Sequence, residues 1–495
     1  MTTPLPRWLL ADQLGPHFDD GHETVMVEVL GPFRRRRFHR QKAHLILSAL
    51  RHRAKELGDR VDYRRGETYR EHLDGVDLSV INPTSYRLRE LVGALGKNAH
   101  VEVVPSRGFV TSEEDFAAWA QQNTGGRLLM DNFYRHSRGV QNILMSLENP
   151  ALPEGGRFNF DHDNREPPPK GQNTLGVPEP WFPAEDDIDA EVRDYLDYLE
   201  KSEDIGFRGV DGPRLFPATR AEALKALAQF IEHRLPTFGP HEDAAMTDDW
   251  AMSHSLLSPA LNLGLLDPLE VIDQAVAAYY SGAADLPSVE GFVRQIMGWR
   301  DWVWHLYWHL GQEFSDSNVL QHTAPLPPVF DHLDGSAVSS RCVSHVLTEV
   351  NQRGWTHHIN RLMVLGSVAL QRGVNPADLN DWFVDSFVDG TPWVMPANVV
   401  GMSQWADGGV VATKPYTSGG SYLKKMTNYC SGCVFKPTER VGETACPMTA
   451  GYWAFLHQHQ EALAKNHRMA KPLGGMRRLV DIELVVAQEK ERTEW

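Results

Sequence analysis

The sequence predicts two unlike halves: an N-terminal α/β domain built on a doubly wound parallel sheet, and a large all-α C-terminal domain. Three observations predict this. Over the first ~130 residues, short apolar runs alternate with amphipathic stretches, the pattern of parallel strands joined by crossover helices. The texture then changes, with Gly155-Gly156, Pro167-Pro168-Pro169 and many Asn and Asp, as in a long connection with little regular structure. From Arg220 onward the text is helical. The expected organisation is residues 1–130, an interdomain connection over 131–219, and a helical domain over 220–495. A chain of 495 residues is long enough for two or three domains with sizeable cores.

Residues 8–11 read as a first strand and 25–29 as a second. A helix over 39–57 carries Leu45, Leu47 and Leu50 among Arg51, His52 and Arg53. Residues 61–63 and 101–104 read as further strands. Ser112 is placed to cap a helix, with Glu113, Glu114 and Asp115 at its positive end. There is neither a G-x-G-x-x-G nor a Walker A sequence, so this domain either binds a ligand at its strand ends or is a scaffold. Arg34–Arg37, with Arg40 and Lys42, is the strongest basic run. It either meets phosphates or forms a solvated loop and helix start.

Residues 133–181 are read as the irregular crossing, followed by helices over 189–199, 221–232 and 256–266, the last with Ser258-Pro259 near its first turn. Residues 288–310 form a helix crowded with Phe292, Trp299, Trp302, Trp304, Tyr307 and Trp308. These cover much of its circumference, which places it at the centre of its domain. Residues 342–351 and 355–372 read as a helix pair broken at Gly354, and 445–467 as a last helix.

The chain has four cysteines: Cys430 and Cys433 as a C-x-x-C, Cys446 after twelve more residues, and Cys342 eighty-eight positions before Cys430. Four thiolates with this spacing suit a structural zinc or an iron–sulfur cluster, and Pro447 after Cys446 leans toward the cluster. Free or disulfide-bonded cysteines are the bland alternative. His357 and His358 open a helix, where adjacent side chains point about 100° apart, so both should not face one small metal. Either could move a proton near neutral pH, or simply hold a hydrogen bond at the helix start. Arg361, Asp385 and Asp389 put charge into apolar text, with the two acids at helical i, i+4 spacing. An Arg361–Asp pair in the core is expected, because buried charges are normally paired. Trp382, Trp393 and Trp405 surround it in sequence.

A net charge of −16 argues against indiscriminate coating of nucleic acid, although a local basic groove remains compatible. No signal peptide or membrane span is read, and so few cysteines suit a reducing cytosol. A cytoplasmic, monomeric protein is expected.

Together these stretches resemble the iron–sulfur bacterial cryptochromes and photolyases, the group containing prokaryotic (6-4) photolyases. The resemblance spans most of the chain. It is carried by Asp12-Gln13-Leu14, 48–52, Phe133-Tyr134-Arg135, Asn159-Phe160-Asp161 with Asn164-Arg165, and Leu257-Ser258-Pro259-Ala260-Leu261. It continues through 288–295, Gly298-Trp299-Arg300, His357-His358, 401–409 and the cysteine set. It implies a cryptochrome/photolyase fold with FAD in the helical domain and a [4Fe–4S] cluster on Cys342, Cys430, Cys433 and Cys446. Ser255, Leu257 and Ser258 would lie near the FAD phosphates, and Gln295 and Trp299 would come from the aromatic helix. Arg361 and Asp389 would pair beside the isoalloxazine, with Asn398 a further contact and Met395 near flavin N5. His358 would move a proton to a (6-4) lesion, with His357 beside it, and Trp382 would be the electron donor closest to FAD.

The implied function is light-driven repair of (6-4) photoproducts in DNA, the lesion being flipped out of the duplex toward the flavin. A blue-light receptor without repair is the alternative reading. A third, an iron–sulfur nucleic-acid-binding protein without flavin chemistry, would contain no releasable flavin. Two departures stand out. The family's Trp shortly before the first cluster cysteine is missing from Asp331-His332-Leu333-Asp334-Gly335, so Trp393, Trp405 or a Tyr is expected to substitute or photoreduction to weaken. Pro32 stands where a Glu contact to a lumazine antenna is expected, so antenna binding should be altered or lost.

Overall fold

The structure, a computed structural model, describes residues 4–123, 127–493 and 495. Strands β1 (Arg7–Trp8), β2 (Thr24–Val29), β3 (Val61–Gly66), β4 (Leu78–Ile81) and β5 (Val101–Val104) form one parallel sheet ordered β3-β2-β1-β4-β5. β2 pairs with β3 along its whole length, from Thr24 opposite Val61 to Val29 opposite Gly66. β1 lies between β2 and β4, so the switch point where a doubly wound sheet binds ligands falls at the ends of β1 and β4. β4 was not expected. Its four residues are all buried, and a short strand covered on both faces lacks the alternation that marks a strand. The first strand is shorter than expected because the chain turns at Ala11-Asp12.

The helix Arg40–Leu57 is capped by the His39 ring, which accepts from the Gln41 N–H. Ser112 caps Glu113–Gln122 as expected. The irregular reading of 133–181 is corrected at its start, where Met130–Gln141 is helical. Phe133, Tyr134, Ser137 and Arg138 form its buried face, at helical spacing among Asn and Arg that hide it. Beyond it the chain is irregular up to Asp187–Ser202, which has a full capping box from Asp186 and Asp189 and packs on Arg40–Leu57.

In the helical part, the aromatic segment runs through Leu286–Val293, Arg294–Arg300 and Asp301–Leu310. Its middle piece is π-helical, as are Arg361–Gly366 and Ala397–Ser403. Such insertions occur mostly as single turns and frequently at functional sites. The helix expected over 256–266 is only Ser258–Asn262, and 355–372 becomes helical only at His358. The tail expected over 445–467 divides into Pro447–Gln458 and Gln460–Leu463. Pro376–Ser386 ends before Asp389, so Asp385 and Asp389 do not share a helix face.

The basic run forms a short helix, a loop and the start of the Arg40–Leu57 helix, and most of its charges are paired. Arg34 pairs with Glu67 and Glu203, Arg36 with Asp381 and Asp385, and Arg40 with Asp197 and Glu200. Lys42 is buried and donates to the backbone carbonyls of Val384 and Gly390. The run is thus part exposed, at Arg34, Arg35 and Arg37, and part buried, at Arg40 and Lys42. Through Arg36 and Lys42 it fastens the α/β part to the chain segment that carries Asp389.

Candidate functional site

Arg361 opens the second π-helical piece. Its guanidinium makes two bonds to Asp389, Nη1 to Oδ1 at 2.8 Å and Nη2 to Oδ2 at 3.0 Å. Its Nε donates to the Thr356 carbonyl at 2.6 Å. The Ser258 hydroxyl donates to Asp389 Oδ2 at 2.7 Å, and the Asn262 amide donates to the Asp389 carbonyl oxygen at 3.0 Å. A two-pronged pair of this kind fixes orientation as well as charge. The expected Arg361–Asp pair therefore forms with Asp389, whereas Asp385 turns to Arg36 and Arg208. Two residues before Ser258, Leu256 has φ +58°. This costs a residue with a side chain about 1–2 kcal/mol, and such strain clusters at ligand clamps.

Gln295 lies in the first π-helical piece and donates to Glu242 at 2.5 Å. Burial pushes the Glu242 carboxyl up to about 7. Trp299 is on the same piece and half-buried, Met395 is buried, and the Asn398 amide donates to the Val394 carbonyl at 2.8 Å. Each of the three π-helical pieces thus carries at least one residue expected at the flavin. Buried polar atoms without partners gather nearby: His254 Nε2, His357 Nδ1, Trp355 Nε1 and Thr391 Oγ1. Unpaired buried donors and acceptors are rare in folded proteins, and a polar ligand would satisfy them. The residue set fits a flavin nucleotide on that ground.

His357 holds the cap position of His358–Asn360 with extended backbone, φ −70° and ψ 163°. The angle expected between adjacent helical side chains therefore does not apply. His254 and His357 stack at 4.6 Å between ring centroids, and His254 meets His358 edge-on at 5.5 Å. One ring nitrogen from each of the three lies within 4.8 Å of the others. The expectation that His357 and His358 could not face one small site is overturned. Burial, then the charges of His254 and His358, push His357 well below its ordinary value. Burial also opposes charge on His358, but the Asp243 carboxylate, 3.4 Å from Nε2, more than offsets it and raises the pKa. Of the three, His358 is the one whose surroundings favour the protonated form. About half of that side chain is exposed.

The four cysteines gather although they come from separate segments, and none is bonded to another. Cys342 is in the first turn of Arg341–Arg353, and Cys446 caps Pro447–Gln458. Arg341 donates to the Ser431 carbonyl inside the C-x-x-C loop. Burial, then the charges of Cys446, Cys430 and Cys433, push the Cys342 thiol well above its ordinary value. Burial, then Cys446 and Cys433, push Cys430 up to about 11. Thiols crowded together and buried in this way form a site a cation would relieve. Among the described residues, no three of these sulfurs lie within 4.8 Å of one another. A single tetrahedral zinc would draw its sulfurs to about 3.8 Å. A Cβ on Gly420 would come within 3.0 Å of the Cys446 sulfur, so glycine keeps that side open.

Residues 7–206 match the family described as deoxyribodipyrimidine photo-lyase-related protein. A (6-4) photolyase of Agrobacterium fabrum is 37% identical over 94% of this chain and 94% of its own length. The chain belongs to the deoxyribodipyrimidine photo-lyase-related family. A bacterial class III photolyase from Agrobacterium tumefaciens superimposes with a TM-score of 0.55 at 19% identity, covering 84% of this chain and 82% of its own. A cryptochrome from Synechocystis does so with a TM-score of 0.58 at 13% identity, covering 86% of each chain. At these identities the likeness concerns the fold, which is the photolyase/cryptochrome fold expected from the sequence.

In this photolyase-related protein Trp382 is fully buried in the same apolar core as Met395, and its indole N–H donates to the Phe330 carbonyl at 2.8 Å. Trp393 packs in a different core against Trp304, and Trp405 in a third. Sequence reasoning missed His254, Glu242 and Asp243. His254 stood next to Ser255 in a stretch read for Ser255, Leu257 and Ser258. The Glu242-Asp243 pair lies in a turn, where no periodicity marks a site.

Proposed function

We propose that this chain is a light-driven (6-4) DNA photolyase. The carrying observation is the pairing of His358, in contact with the Asp243 carboxylate, with the fixed Arg361–Asp389–Ser258 group in one site. The 37% identical relative bears the name (6-4) photolyase, which supports the same reading. FAD would be held by Ser255, Leu257 and Ser258 toward its phosphates, and by Gln295, Trp299, Arg361, Asp389, Met395 and Asn398 around its ring. When bound and reduced, it supplies the photoexcited electron. Arg361, oriented by Asp389 and the Thr356 carbonyl, places a fixed cation beside the ring. His358 keeps Nε2 on Asp243 and offers its other nitrogen to the flipped lesion, giving a proton and taking it back. His357, buried and neutral, packs against His254 and supports the pair.

Cys342, Cys430, Cys433 and Cys446 would hold a [4Fe–4S] cluster that ties Arg341–Arg353 to Pro447–Gln458. The cavity at the switch point, lined by Asp12, Gln13, Asn82 and Thr84, has a volume of about 10 Å³, room for about one water. With Pro32 at the expected contact position, this favours a protein that works without an antenna there. No helix among the described residues is long and apolar enough to cross a membrane. The substrate would be damaged DNA, bound by a monomer.

The test is an oligonucleotide carrying one (6-4) photoproduct, incubated with reduced protein in blue light and in the dark. Repair only in light is expected, with a yellow flavin released on heat denaturation. Flavin present without repair would favour the photoreceptor reading, and no flavin would end both.

A further inference from the structure

Trp382 is sealed in its core, so an electron it gave away could be restored only through another oxidisable side chain that reaches the surface. Its aromatic partners among the described residues are Phe330, Phe383 and Phe387. Phe387 carries the Arg361 guanidinium on its face at 4.3 Å, which places this end of the aromatic group at the candidate flavin site. Phe330 lies on the opposite course. It is 5.1 Å from Trp382 and 6.0 Å from Trp495, centroid to centroid. Trp495 is half-buried, and its carbonyl accepts from the Ser340 N–H at 3.0 Å, which fixes it beside the first turn of the Cys342 helix. Neither Trp393 nor Trp405 is a ring partner of Trp382, and Tyr429, in the same core, is engaged with His345 and Asn360.

We infer that Trp495 is the relay that refills Trp382 during photoreduction of the flavin, in place of the tryptophan missing before Cys342. The inference rests on the flavin reading given above. Phenylalanine is much harder to oxidise than indole, so Phe330 bridges the two indoles without itself losing an electron. Trp382 gives one electron to the photoexcited flavin, Trp495 gives one to Trp382, and a thiol in solution gives one to Trp495. Two such turns deliver two electrons and one proton to the flavin. They leave two thiols joined as a disulfide and one proton in water, with both indoles as they began. Arg372 lies 5.5 Å from the Trp495 ring and opposes positive charge there, but Glu489, 3.5 Å from Arg372, offsets it.

The experiment uses the full-length holoprotein with dithiothreitol under blue light, comparing Trp495→Phe, Trp495→Tyr and Trp382→Phe. Trp495→Phe should keep flavin and iron yet bleach oxidised flavin severalfold more slowly, with a shorter-lived tryptophan radical in transient absorption. Trp495→Tyr, nearly the same shape but oxidisable, should recover much of the rate, whereas a packing role would treat Phe and Tyr alike. In the parent illuminated in air without thiol, mass spectrometry should find added oxygen on Trp495. Parent-like bleaching and radical lifetime in Trp495→Phe, or oxidation mapped to Tyr429 instead, would overturn the relay. If Trp382→Phe also bleaches at the parent rate, the placement of the flavin beside Trp382 fails instead.

Discussion

His357 and His358 are neighbours in the chain with opposite proton affinities, and the cause is local. His357 is sealed against His254 and has no acid, whereas His358 reaches Asp243. A His whose folded pKa is raised holds its proton, and the stability that comes with it, below its unfolded value, and loses both as pH rises through the folded one. Repair that needs the His358 proton should therefore fall on the alkaline side. Asp243→Asn removes the group that raises the pKa and should move that fall to lower pH, with the plateau at low pH reduced less than the rate near neutrality. A pH–rate profile unchanged by Asp243→Asn would take Asp243 out of the proton step. His358→Ala should lower repair by at least the ~10²-fold typical of a positioned acid or base, with flavin retained. The histidine pair was legible in the sequence. Its geometry was not, because the 100° rule holds only inside a helix, and His357 is extended just before one.

At the scale of elements, three π-helical pieces and one four-cysteine knot set the site. The aromatic segment 288–310 could be read as a central helix from its composition. The π-helical turn inside it could not, because such a turn changes which residues face inward without changing which residues are present. The cysteine spacing was legible because ligand identity and order survive any reading of the fold between them. The gathering of Cys342 with the others depended on Arg341–Arg353 lying against the C-x-x-C loop, which the Arg341 contact to Ser431 secures. Cys433→Ala should lower iron from about four per chain to below one and leave much of the protein insoluble, since such a site folds with its metal. Iron and sulfide assays on anaerobically purified protein check this. Stoichiometric zinc and no iron in the parent would overturn the cluster assignment.

At the scale of the whole molecule, the α/β part is a clamp on the loop that holds Asp389. Arg36 meets Asp385 at 2.7 Å, and Lys42 reaches past it to the carbonyls of Val384 and Gly390. The basic run stood out in sequence, but the partners of Arg36 and Lys42 lie more than three hundred residues away, so spacing alone could not tell an internal clamp from a phosphate site. Lys42 makes the clamp testable. Lys42→Met keeps much of the side chain's length but leaves two buried carbonyls unpaired. Each unmet buried acceptor costs about 1–3 kcal/mol, partly offset because no ammonium has to be desolvated. A net loss of about 2 kcal/mol is expected from denaturant unfolding, together with faster release of flavin, since Gly390 follows Asp389 directly. Burial lowers the Lys42 pKa to about 8. The unfolded chain therefore binds more protons than the folded one between about pH 8 and the ordinary lysine range, and parent stability gains a rising contribution there. The neutral amine still donates to both carbonyls, so the advantage of the parent over Lys42→Met should widen above pH 8. Equal stability of the two proteins at pH 7 and at pH 9, with equal flavin retention, would show that Lys42 does not hold the Asp389 loop.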